Sequence, residues 1–72
     1  MTRTRIRLET MSDVNRFVSA MSKVNDKVWL EDDAGNRVSA KSLLGAIYSM
    51  EWEQIYCYCE KDINVYLMSW AI

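Results

Sequence analysis

The sequence predicts an α+β fold, a two-layer sandwich with helices packed on one face of an antiparallel four-stranded sheet. Three observations lead there. Strict apolar–polar alternation, the mark of half-buried strands, recurs at residues 3–8, 27–31, 38–40 and 54–60. Between and after these stretches, apolar residues recur at three- and four-residue steps, as on helices with one buried face. A glycine-bearing turn at residues 32–36 joins the second and third strands into a hairpin. The order is therefore β-α-β-β-α-β-α, and such an order stacks helices against an antiparallel sheet. With 72 residues, half of them hydrophobic, the chain can build one packed core, near the lower size limit for doing so unaided. No linker, repeat or low-complexity segment interrupts it, so residues 1–72 read as a single domain.

In the first strand Thr4, Ile6 and Leu8 share the core face, and Arg3, Arg5 and Arg7 form a basic outer face. Thr10 or Ser12 caps the first helix, and Thr10 with Asp13 approximates a capping box in which Asp replaces the longer Glu. Val14, Phe17, Val18, Met21 and Val24 form its core stripe, and Asn25 with Asp26 ends it. In the second strand Val28 and Leu30 point inward and Trp29 outward. Gly35 supplies the positive φ that the hairpin turn requires. Val38 and Ala40 share a face of the returning strand, which runs directly into a short helix with Ser42 at the junction. Ile55, Cys57 and Cys59 face one way on the last strand and Tyr56 and Tyr58 the other, a phase that inward-facing tyrosines would reverse. Asp62 caps a final helix on which Ile63, Tyr66, Leu67 and Trp70 share a face.

Composition removes several function classes. There is no histidine, so no mechanism can use an imidazole as base, metal ligand or phosphate carrier, and no Ser-His-Asp triad exists. A net charge of −1 gives no global attraction to nucleic acid or anionic membrane. No apolar run reaches membrane-spanning length, and three arginines by position 7 leave no signal-peptide core, so the expected location is cytoplasmic. Cys57 and Cys59, two apart on a strand, lack the further ligands of a zinc site and suit a mutual disulfide poorly; they read as small buried hydrophobes. Asp32, Asp33 and Asn36 lack calcium-loop spacing and a closing Glu, and Glu51, Glu53 and Glu60 form no paired-carboxylate site. The expectation is a protein that is not an enzyme and needs neither metal nor cofactor.

The segment from Lys27 through Val28, Trp29 and Leu30, followed by Val38, Ser39, Ala40, Lys41, Ser42, Leu43, Leu44, Gly45, Ala46 and Ile47, resembles the central part of the HPr family. These are small phosphocarriers of the bacterial sugar phosphotransferase system. In that family a hairpin leads into a Lys-Ser pair, two bulky apolar residues and a glycine, as Lys41 to Gly45 do here. The resemblance implies an open-faced β-sandwich of HPr type. The family's phosphocarrier site is a histidine followed by alanine, arginine and proline at the start of the first helix. Here that region runs from Leu8 through Glu9, Thr10, Met11, Ser12 and Asp13 to Val14, so phosphate relay is impossible. The last helix is also short by comparison. What matches is the regulatory serine, at Ser42, and the apolar flank at Leu43, Leu44 and Ile47. Relatives that keep the serine without the histidine are phosphorylated on it by a dedicated kinase and then bind a transcription regulator, which is the role the resemblance implies.

Two candidate surfaces follow. Ser42 is an N-cap, a phosphoacceptor, or both, and Lys41, Leu43, Leu44 and Ile47 would flank it as a partner-binding patch if they are exposed rather than core. The alternative is the outer sheet face, where Arg5, Trp29, Tyr56 and Tyr58, with Arg3 and Arg7, interleave cations and rings. Such a face binds single-stranded nucleic acid, forms a homodimer contact, or simply covers itself with cation–π pairs. The slight negative charge and the absence of an extended aromatic motif disfavour nucleic acid.

Overall fold

A computed structural model describes residues 1–72. The elements are β1 (Thr2–Ile6), α1 (Met11–Met21), β2 (Val28–Glu31), β3 (Arg37–Ser39), α2 (Leu43–Ser49), β4 (Ile55–Cys59) and α3 (Asn64–Leu67), in the predicted β-α-β-β-α-β-α order. The strands form an open sheet in the order β1-β4-β2-β3, every neighbouring pair antiparallel. The last strand in sequence thus lies inside the sheet, with Thr4 and Leu30 flanking Cys57 from either side.

Alternation along each strand sorts residues between the two faces. Ile6, Val28, Leu30, Ile55, Cys57 and Cys59 are buried on the inner face, while Trp29, Tyr56 and Tyr58 are half-buried on the outer one. β1 starts one residue earlier and stops two residues sooner than the alternation suggests, yet Leu8 remains buried. Val14, Phe17 and Met21 of α1 complete the core over the sheet. Each such apolar side chain contributes roughly 1.5–3 kcal/mol on burial.

The start of α1 is a complete capping box. Thr10 Oγ1 accepts from the Asp13 N–H at 3.1 Å, and Asp13 Oδ2 accepts from the Thr10 N–H at 3.2 Å. The same carboxylate accepts from the Glu9 N–H at 3.1 Å, and its other oxygen meets the Arg16 guanidinium at 3.0 Å. Those donors, the Glu9 amide foremost, hold the Asp13 carboxyl below its usual range. α1 ends at Met21, before Asn25 and Asp26, but a final turn bonded from the Val24 N–H to the Met21 carbonyl still tucks Val24 into the core.

The hairpin turn is built as expected around Gly35, at φ 94°. Asp32 organises it, its carboxylate accepting from the Asn36 side chain and the Asn36 and Ala34 amides at 2.8–3.0 Å.

The C-terminal region departs most from expectation. Asp62 is not the cap of the last helix; Ile63 holds that position without a side-chain bond, and Asp62 accepts from the Asn64 N–H at 3.0 Å as an Asx turn. α3 has only four residues, too few for four side chains to share one face. Ile63 and Leu67 are buried, Trp70 is half-buried with its ring edge-on to Phe17, and Tyr66 points outward at 43% exposure. Beyond α3 the chain pairs with β1: the Arg7 N–H donates to the Trp70 carbonyl at 2.9 Å and the Ile72 N–H to the Arg5 carbonyl at 3.0 Å.

Candidate functional site

The residues singled out around Ser42 come together at the β3–α2 junction. The Lys41 N–H donates to Ser39 Oγ at 3.2 Å and the Ser42 N–H to the Ser39 carbonyl at 3.2 Å, which turns the chain sharply out of the strand. Ser42 has extended backbone angles, φ −97° and ψ 122°, and its Oγ accepts from the Gly45 N–H at 3.1 Å. It is an N-cap in geometry, with its side chain on the exposed side of the junction.

The inner face of α2 is made of small residues. Ala46 and Ser49 are fully buried, and the Ser49 hydroxyl satisfies itself on the Ala46 carbonyl at 2.6 Å. Gly45 presses on β3 so closely that a β-carbon there would lie 3.1 Å from the Ser39 carbonyl oxygen. A helix that approaches a strand on glycine, alanine and serine must turn its large side chains elsewhere. Leu44 is accordingly 79% exposed, Tyr48 54% and Leu43 43%, while Ile47 is half-buried against the core. The question left open by the sequence, exposed patch or core, is answered unevenly: Leu43 and Leu44 are surface, and Ile47 bridges to the interior.

Two further facts shape this surface. The Lys41 ammonium is part-buried and donates to the Val24 carbonyl, so it locks the junction to the end of α1 and is not a free docking cation. Tyr48, absent from the residues singled out by sequence, belongs to the patch, its ring edge-on to Trp52 at 5.9 Å between centroids. Its position one helical turn beyond Leu44 was the available signal.

The outer sheet face covers itself. The Arg3 guanidinium lies 3.8 Å from the Tyr56 ring centroid and bonds Glu31 at 3.2 Å and Asp33 at 3.5 Å. Arg37 lies over Trp29 at 4.9 Å and Tyr58 at 5.4 Å, and approaches Glu31 at 3.9 Å. Glu31 thus holds two arginines over three rings. Trp29, Tyr56 and Tyr58 are brought together as expected, whereas Arg5, opposite Tyr56 in register, forms no ion pair. Sequence reasoning missed Arg37 and Glu31; their outward phase on the hairpin strands was the signal. Ring faces already occupied by guanidinium groups are poor platforms for stacking bases.

Cys57 and Cys59 are free and buried. Burial, with the neighbouring Cys59 adding to it, pushes the Cys57 thiol up to about 12, so it is inert as a nucleophile at neutral pH. No helix is long and apolar enough to cross a membrane. No family model, curated protein or solved structure matches the chain.

Proposed function

We propose that this is a non-enzymatic, cytoplasmic protein-interaction module of HPr type that docks partners through the outer face of α2. The observation that carries the reading is the inversion of that helix: small residues pack inward, while Leu44 stands largely in solvent and Leu43 and Tyr48 are left about half exposed, Tyr48 with its ring edge-on to Trp52. Apolar surface left uncovered by folding is available for burial against another surface. Ser42 lies at the edge of this patch with an exposed side chain, in the Lys41 to Gly45 context that resembles the HPr regulatory segment. Phosphorylation there would add roughly two negative charges beside the apolar patch and change which partner surface fits. A kinase and a regulator are the partners this reading implies.

Incubation of the protein, and of a Ser42→Ala variant, with a serine-directed HPr kinase and ATP, followed by intact mass measurement, tests the switch. One added phosphate on the parent alone supports it; none on either, with the fold intact, reduces the resemblance to architecture. Docking itself is tested by substitution. Partner binding lost with Leu44→Glu and kept with Tyr56→Ala and Tyr58→Ala assigns it to α2, and the reverse pattern assigns it to the sheet face.

A further inference from the structure

Two arginines are left without a partner, and both line one depression. Arg3, Arg16 and Arg37 are ion-paired, whereas Arg5 and Arg7 are not. Arg5 and Arg7 alternate with the buried Ile6 and Leu8, so both leave the chain on the same exposed side. The depression holds about 150 Å³ and is lined further by Met50, Trp52, Glu53 and Gln54. Ile6, Leu8 and Ile55 also line it, and their burial gives it an apolar floor.

Its polar groups are mostly donors. Gln54 Oε1 accepts from the Tyr56 hydroxyl at 2.8 Å, which orients the amide and leaves its NH2 group free to donate. Trp52 carries an indole N–H that is buried with no acceptor in the chain, an uncommon state for a buried donor. The one carboxylate side chain in the lining is Glu53, exposed and itself without an ion pair. Two guanidiniums and an amide thus share an apolar-floored depression with a single acid. Sites for drug-sized ligands begin at roughly 300 Å³, so this one admits about one amino-acid residue.

We propose that the depression binds the carboxylate of an apolar amino-acid residue, held between Arg5 and Arg7. The aliphatic side chain of that residue lies against Met50 and Trp52, and its nitrogen is turned toward Glu53. A carboxylate is planar and accepts charge-assisted hydrogen bonds from two guanidiniums at once. The apolar floor selects such a ligand over an inorganic anion. Two sources carry this chemistry, a free amino acid and the C-terminus of a peptide. They differ at the nitrogen, an ammonium in one and an amide N–H in the other. The assignment uses none of Leu43, Leu44 and Tyr48, so it stands or falls apart from the docking role of α2.

The probes are N-acetyl-leucine, its carboxamide, free leucine and inorganic phosphate, each titrated into isotope-labelled protein while backbone and indole N–H resonances are followed. The expected result is saturable binding of the acids with a dissociation constant on the order of millimolar. It should move the Arg7 and Gln54 amides and the Trp52 indole, while the carboxamide binds about tenfold more weakly. Arg5→Gln and Arg7→Gln should each weaken binding roughly threefold to fivefold, and together about tenfold. Both positions are exposed, and unchanged resonances elsewhere verify the fold. Free leucine binding more tightly than N-acetyl-leucine, with the advantage lost in Glu53→Gln, assigns the free amino acid; the opposite order assigns a peptide C-terminus. Equal binding of acid and carboxamide, phosphate binding as tightly as the acids, unchanged affinity in the double variant, or no saturable shift at the depression overturns the proposal.

Discussion

Gly45 of α2 and Val38 of β3 are in direct apposition: a β-carbon on the glycine would lie 3.1 Å from Val38 Cβ and 3.3 Å from its Cγ2. In an open helix, replacing glycine with alanine gains up to about 1 kcal/mol. Here the added methyl meets a β-branched side chain and a backbone carbonyl, neither of which rotates away, and overpacking of that kind costs about 1–3 kcal/mol. Gly45→Ala should therefore lower stability by about 1 kcal/mol in urea unfolding. A gain would show that α2 can lift off β3 at little cost.

Leu44 and Ala46 are two residues apart, and substitution should affect them oppositely to their size. Leu44→Glu, on a side chain 79% exposed, should change stability by less than about 0.5 kcal/mol. Ala46→Leu, at a fully buried position, should cost about 1–3 kcal/mol by overpacking. Comparison of the two urea midpoints checks both, and a destabilising Leu44→Glu would mean the leucine packs inward in solution.

The arginine cover of the outer face makes a coupled prediction. Arg3→Ala and Tyr56→Ala should be non-additive in a double-mutant cycle, because the guanidinium lies 3.8 Å from the ring centroid. Arg37→Ala should also raise the quenching of Trp29 fluorescence by a water-soluble quencher, because the guanidinium lies over that ring. Strict additivity with unchanged quenching would mean the arginines are mobile in solution.

Acid should act through two carboxylates. Hydrogen bonding, chiefly from the Asn36 side chain, holds the Asp32 carboxyl below its usual range, and the Glu9 amide foremost does so for Asp13. Because their folded values are depressed, the stability they contribute is complete above about pH 4, the unfolded carboxylate range. It is lost as pH falls below that through the folded values. Asp32→Asn should accordingly be less stable than the parent near neutral pH, and the difference should shrink between about pH 4 and pH 2 in unfolding measured against pH.

Cysteine labelling reports opening of the core. With Cys57 at about 12 and both thiols buried, a thiol reagent at pH 8 should modify neither residue in the folded protein on the timescale of its reaction with the urea-unfolded chain. Rapid labelling of the native protein would place β4 at an accessible surface.

Most of the sheet was legible because each strand carries a clean period of two, and the capping box at Thr10 and the turn at Gly35 follow from local chemistry alone. The end of the chain was less legible. Asp62 looks like a cap, but the buried side chain of Ile63 is drawn into the core one residue later and takes the cap position with it. The orientation of α2 was hidden for a related reason. Leucine and isoleucine suggest an inward face, yet the close approach to β3 reserves that face for Gly45, Ala46 and Ser49. Composition reports how hydrophobic a helix is, and only tertiary distance decides which side is spent on the core. The pairing of Arg37 and Arg3 with rings of other strands depends on sheet order and register, which local patterns do not encode.

The strand order also sets when this protein can exist as a folded body. β4, the last of these four strands to be synthesised, occupies the interior of the sheet, and β1 has no strand partner other than β4. A nascent chain lacking residues 55–59 can form the β2–β3 hairpin and a fluctuating α1, but the first strand has nothing to pair with. Folding of this sheet is thereby deferred until residues 55–59 have left the ribosomal exit tunnel, and until then its earlier strands meet chaperones and proteases as an open polymer.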